Sequence, residues 1–156
     1  MFGLPETFLR ILIATVLGAL IGLERERSHK SAGLRTNALV AMGASLISVI
    51  ALGIAARNPS IDPTRMISNI IVGIGFIGGG AIIREGHKIQ GITTAATLWV
   101  VAAIGIAIGL GFYSEAIFSV ILAYFILSVL WLFEKKEGKN ILYQSIKEEN
   151  QKTDGF

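Results

Sequence analysis

The sequence predicts an all-α, polytopic transmembrane bundle of about five helices, and three observations predict it. Hydrophobic residues make up 53% of the 156 and charged residues only 16%, where an average soluble domain is roughly 25% charged. Apolar runs of roughly 20 residues recur along the chain, the length that crosses ~30 Å of hydrocarbon at ~1.5 Å per residue. The charges that remain fall in short clusters between those runs.

The first span reads as roughly Glu6 to Leu23 and stops at Glu24-Arg25-Glu26-Arg27. It lacks a basic leading segment, exceeds the apolar core of a signal peptide and has no small-residue cleavage site, so it is expected to be retained. The later spans read as Asn37 to Ala56, Met66 to Ile83, Thr93 to Phe112 and Ala116 to Phe133. Arg25, Arg27, Lys30 and Arg35 lie in or beside the first loop, Arg84 and Lys88 in the third, and five lysines after residue 134; the opposite side has Arg10, Arg57 and Arg65. The positive-inside rule therefore expects an outer N-terminus and a cytoplasmic C-terminus. The formal charge of +3 follows from those loop and tail cations, so the expected partner is a lipid bilayer and not nucleic acid. Residues 1–134 read as the membrane domain and 135–156 as a short polar cytoplasmic tail, in which Asn140 to Lys147 fits a short amphipathic helix.

The chain has no cysteine, which excludes disulfides, thiolate metal sites and cysteine nucleophiles. Gly18-x-x-x-Gly22, Gly75-x-x-x-Gly79 and Gly105-x-x-x-Gly109 each set two glycines on one helical face. Bare backbone there lets a neighbouring helix approach, within the chain or between subunits of a homodimer or small homo-oligomer. The run Gly73 to Gly78 matches G-x-G-x-x-G but lies inside an apolar span with no preceding strand, so it is no nucleotide signal. Gly33 to Val40 resembles Gly91 to Leu98, and Gly18 to Ile21 resembles Gly80 to Ile83. Helices one and two are on that basis expected to recur, in the same orientation, as helices three and four.

Under that repeat, Thr36 and Thr94 occupy matching helix starts, where a hydroxyl caps free N–H groups. Helix N-termini favour anions, and Glu24, Glu26 and Glu85 are the nearby candidates, with Arg35 and Arg84 as their expected cationic partners. Asp62, just before Pro63, is expected to cap the third helix and lean on Arg65. Asn69 and Gly78-Gly79-Gly80 are a polar group and loosened backbone within a span, which either pack closely or line a cavity. His29 and His87 are not spaced as ligands on one helix, and the identity of any metal stays open. Trp99, inside the fourth span, is expected in core packing. No triad, phosphate-binding loop or catalytic carboxylate pair stands out, so neither an enzyme nor a cofactor is expected.

Gly22-Leu23-Glu24-Arg25-Glu26, Ala32-Gly33-Leu34-Arg35-Thr36, Gly73 to Gly80 and Gly91 to Trp99 follow one another in order. Together they resemble the membrane domain of the MgtC/SapB family, over about Leu9 to Gly111. The resemblance implies a bacterial inner-membrane protein of about five helices with the orientation above. It also implies association with growth under magnesium limitation and, in some members, survival inside macrophages and modulation of the membrane ATP synthase. The chain looks like a compact branch with the membrane domain alone. Glu85 and Thr93 fall where the founding branch carries functional polar residues, the second usually asparagine, and Val100 stands in place of that branch's cysteine.

The function this suggests is a regulator or adaptor of membrane partners in divalent-cation or envelope homeostasis. Its expected polar site comprises Glu24, Arg35, Thr36, Asn69, Arg84, Glu85, Thr93 and Thr94. A small oligomeric ion or solute transporter is the alternative, and it would need a polar path near the midplane.

Overall fold

The computed structural model describes residues 3–86 and 88–130, with Glu85 described by its backbone. Helix α1 (Leu4–Arg27) opens with Pro5, whose fixed φ suits a first turn. Glu6 in the first turn and Arg25 and Arg27 in the last complement the helix dipole. Then come α2 (Leu34–Arg57), α3 (Thr64–Gly80), strands β1 (Ile83–Glu85) and β2 (Lys88–Gln90), α4 (Ile92–Leu110) and α5 (Tyr113–Phe125), which runs into a π-helical turn over Ile126–Leu130. Among the described residues, four stretches are long and apolar enough to cross a membrane: α1, α2, α4 and Tyr113–Leu130. The 17 residues of α3 measure about 26 Å and sit at the lower limit for a span.

The third span ends three residues earlier than expected, at Gly80, and Ile83 belongs to a strand. Three consecutive glycines hold a helix poorly, and β-branched Ile83 and Ile89 favour the antiparallel hairpin that pairs Ile83 with Gln90 and Arg84 with Ile89. Gly91 closes that connection at φ 90°, and a Cβ there would collide with the carbonyl oxygen of Ala81. The helix before Phe133 starts at Tyr113, ahead of the expected Ala116. Its end past residue 130, the tail from residue 135, the helix expected at Asn140 to Lys147 and His87 lie outside the described residues.

The chain divides into two units, residues 1–123 and 124–156. In the first, α2 is the central helix, packed between α1 and α4. A Cβ at Gly18 would lie 2.6 Å from both Ala41 Cβ and the Asn37 carbonyl oxygen, and one at Gly22 would lie 2.7 Å from Leu34 Cα. Gly105 meets Ala41 and Ala44 in the same way, and Gly109 meets Ser45 and Ser48. Two glycine pairs from two helices thus grip one stripe of small residues on α2, which is how helices associate where lipid supplies no hydrophobic drive. Ile21, Leu98, Val101, Ile104 and Ile108 fill the space around that stripe and are fully buried.

Helix α3 is held differently. Its buried residues are Ile74 and Gly78, with Ile74 joining Ala44, Leu98, Ala102 and Ile106 in one apolar cluster. Gly78 approaches Ala95 of α4, whereas among the described residues nothing lies within 4 Å of where a Cβ would stand at Gly75 or Gly79. The third glycine pair therefore does not pack against the described helices, because α3 turns the neighbouring face, not that one, toward α4.

Helices α2 and α4 each begin one residue after the glycines matched in the expected repeat, Gly33 and Gly91. The other landmarks diverge: Gly18 is packed in the middle of α1, and Gly80 is the last residue of α3.

Candidate functional site

The end of the bundle where α1 finishes and α2 and α4 begin carries buried charge. Arg25 Nε donates to Glu24 Oε2 at 2.6 Å and Nη2 to Oε1 at 3.0 Å, and Ser28 Oγ donates to the same Oε1 at 2.8 Å. The side chains of Glu24 and Arg25 are 7% and 4% exposed, so the pair must satisfy itself, since isolated buried ions are strongly disfavoured. Arg35 and Arg84, the partners expected for this acid, are both exposed, and Arg84 Nε donates to the Gly86 carbonyl oxygen. The adjacent Arg25 satisfies Glu24 within one turn of helix, which the longer-range partners cannot match.

The loop after α1 is tightly wound. His29 and Ala32 sit at φ 52° and 60°, a left-handed conformation that costs an L-residue ~1–2 kcal/mol. Asn37, fully buried, holds the loop by donating from Nδ2 to the carbonyl oxygens of Ala32 (2.6 Å) and Gly33 (2.9 Å). The hydroxyls of Ser31 and Thr94 share a hydrogen bond at 3.2 Å, which fastens the loop to α4. Glu26 Oε2 accepts from the Leu34 N–H at 3.0 Å and so supplies the anion at the start of α2. The threonines do not cap: Gly33 and Gly91 hold the N-cap positions, Thr36 is exposed and Thr94 is turned into the loop contact. The acyl oxygen of Asn37 and the hydroxyl of Ser45 are buried without a protein hydrogen-bond partner.

A cleft of about 820 Å³ lies between α2 and α3, with Ala102 of α4 at its back. Thr36 and Asn69 are its polar lining residues; Leu39, Ile47, Ile70 and Ile77 are among its aliphatic ones, and Gly43 and Gly73 leave its walls bare. Asn69 thus borders the cleft. Trp99 is about half exposed and borders a smaller hollow of about 250 Å³ with Ala103, Ala107 and Glu115, in place of the core packing expected.

The eight residues expected to form one polar site thus occupy three settings. Glu24 and Thr94 are buried beneath the first loop, Thr36 and Asn69 line the cleft, and Arg35, Arg84 and Thr93 are exposed, with Glu85 opposite Lys88 in the hairpin. Sequence reasoning missed Arg25, Asn37, Ser31, Ser45 and, at the opposite end of the bundle, Arg10, which is 4% exposed. A lone arginine within an apolar span was the available signal for Arg10, and the stripe Asn37, Ala41, Ser45, Ser48 at four- and three-residue steps was the signal for α2's packed face. Among the described residues no three His, Asp or Glu side chains gather as metal ligands.

Comparison with known proteins identifies relatives of this chain. The chain is 47% identical to the protein MgtC of Salmonella typhimurium over 114 residues, 73% of this chain and 48% of that protein. It is 39% identical to the protein SapB of Bacillus subtilis over 134 residues (82% and 57%) and 36% identical to the putative magnesium transporter YhiD of Escherichia coli over 129 residues (80% and 60%). The chain spans about half the length of these curated relatives. No solved structure matches. With residues 11–136 matching the family pattern and apolar helices of spanning length, the chain is a multi-pass bacterial membrane protein that belongs to the MgtC family.

Proposed function

We propose that this protein works in the bacterial inner membrane in magnesium or envelope homeostasis, acting on a membrane partner as a regulator or adaptor. The link to magnesium comes from the family and from the name of the E. coli relative. The observation that carries the regulatory reading is the lining of the cleft: thirteen residues, of which Thr36 and Asn69 are polar. A hydrated ion needs polar groups along its whole route, and of the buried polar groups Glu24 and Arg25 are engaged with each other while Asn37 and Thr94 hold the first loop. The expected orientation, N-terminus outside, places that loop and the hairpin at the cytoplasmic face. Assembly as a homodimer or small homo-oligomer is part of the proposal, and neither catalysis nor a cofactor is.

The second reading, a small transporter, is favoured by the name of the E. coli relative. Uptake and efflux of Mg²⁺ and protons in proteoliposomes of purified, folded protein separate the two. Regulation expects no flux above empty liposomes; saturable flux reduced by Glu85→Gln or Asn69→Leu establishes transport instead.

A further inference from the structure

The cleft between α2 and α3 has a length, a lining and an entrance that fit one occupant. Its α2 wall runs from Thr36 to Ile47 and its α3 wall from Met66 to Ile77, each about 17 Å at ~1.5 Å per residue. Half of the ~30 Å hydrocarbon core is about 15 Å, so the groove is as long as one leaflet is deep. Joined by the short connection 58–63, α2 and α3 run antiparallel, which sets Thr36 and Ile77 at one end of the groove. That end is basic. Arg35 is exposed on the first turn of α2, and Arg84 and Lys88 are exposed on the hairpin that starts three residues after α3.

Apolar ligands of small-molecule girth occupy sites of ~300–1,000 Å³. We infer that the α2–α3 cleft is a binding groove for the acyl chains of one phospholipid, whose anionic headgroup sits at the basic mouth against Arg35, Arg84 and Lys88. Aliphatic walls suit the chains, and cations near the membrane surface attract acidic headgroups. Gly43 and Gly73 keep the groove open, since a Cβ at either position meets nothing within 4 Å. The inference goes beyond the regulatory reading and does not depend on it: a transporter could carry the same lipid.

The test is native mass spectrometry of the full chain, delipidated in detergent and titrated with phosphatidylglycerol or phosphatidylcholine. The wild type is expected to take up one phosphatidylglycerol per chain, about tenfold more tightly than phosphatidylcholine. Gly43→Phe and Gly73→Phe, which fill the groove, lose that adduct, whereas Gly75→Phe, in open space outside the lining, keeps it. Arg35→Gln with Arg84→Gln, both at exposed positions, abolishes the preference for phosphatidylglycerol and leaves phosphatidylcholine binding alone. Circular dichroism verifies helicity of each variant. Equal affinity for the two lipids, retention of the adduct in groove-filled protein, or a dimer mass abolished by groove filling without any lipid adduct overturns the inference.

Discussion

Arg10 Nη1 donates to the carbonyl oxygen of Gly109 at 2.8 Å, tying the second turn of α1 to the last turn of α4 across 99 positions of sequence. The same guanidinium donates from Nη2 to Glu6 Oε1 at 2.6 Å and lies 5.9 Å from the Tyr113 ring centroid. Carbonyls at a helix C-terminus lack intrahelical donors, so the arginine satisfies one where water is scarce. Gly111, at φ 93°, leaves it room: a Cβ there would come within 3.2 Å of Nη2.

Replacing Arg10 by alanine is expected to cost about 2–3 kcal/mol, the loss of a buried charged hydrogen bond. Arg10→Lys recovers only part of this, because an ammonium lacks the planar fork that serves Glu6 and Gly109 together. Thermal unfolding in detergent micelles measures both, and an unchanged midpoint for Arg10→Ala removes the clamp from this account.

Glu24 and Arg25 form a unit. Glu24→Gln leaves the arginine charge buried without its counter-ion and is expected to destabilise by about 3 kcal/mol. Glu24→Gln combined with Arg25→Met removes both charges and should cost clearly less than the two single changes added together. Unfolding of the four proteins in a double-mutant cycle gives the coupling, and simple additivity would show that the pair contributes nothing as a pair.

The glycines divide into two classes that mutagenesis can tell apart. Gly105→Ala and Gly109→Ala press a methyl into Ala41, Ala44, Ser45 and Ser48 of α2 and are expected to lose about 1–3 kcal/mol each. Gly75→Ala and Gly79→Ala enter open space and are expected to be neutral, or to gain up to about 1 kcal/mol from helix propensity. Stability in a graded-denaturant series measures this, and losses at Gly75 as large as at Gly105 would mean that α3 meets a further partner in the folded state.

Asp62 supplies a pH dependence at the start of α3. Its Oδ1 accepts from the Thr64 hydroxyl at 2.7 Å and the Thr64 N–H at 2.9 Å, and those bonds, the hydroxyl first, hold its carboxyl below the usual aspartate value of 3.8, with Arg65 adding a little. A depressed carboxyl pKa contributes stability that is complete above the unfolded value and is lost as pH falls through the folded one. The protection factor of the Thr64 amide, its exchange measured against the intrinsic rate at the same pH, is therefore expected to hold from neutrality down to about pH 4 and to fall below it, while Asp62→Asn flattens the profile. A protection factor that is the same at pH 6 and pH 3 in the wild type would refute the role of this bond.

Much of this fold was legible in one dimension. The apolar runs announce the helices, and Gly18, Gly22, Gly105 and Gly109 announce close helix contacts, because a bilayer selects for length, apolarity and small residues along each helix separately. Asp62 and Glu26 were readable as helix-start anions for the same reason, since a cap acts within a few residues. The candidate site was less legible. Glu24 was expected to reach for Arg35 or Arg84 and closed instead on its neighbour, and Thr94 was expected to cap α4 and instead met Ser31.

By itself the sequence determined that this is a helical membrane protein, roughly where its helices lie and that glycine pairs mediate its packing, because the periodicity and solvation of a helix are local properties. Only the tertiary structure decided that α2 stands at the centre, that Gly75 and Gly79 face outward, that Arg10 reaches Gly109 and that Thr36 and Asn69 share a cleft. Which face of a helix meets which neighbour depends on the simultaneous fit of α1, α2, α3 and α4, and in a bilayer, where nearly every face is apolar, hydrophobicity along one chain segment does not encode that choice.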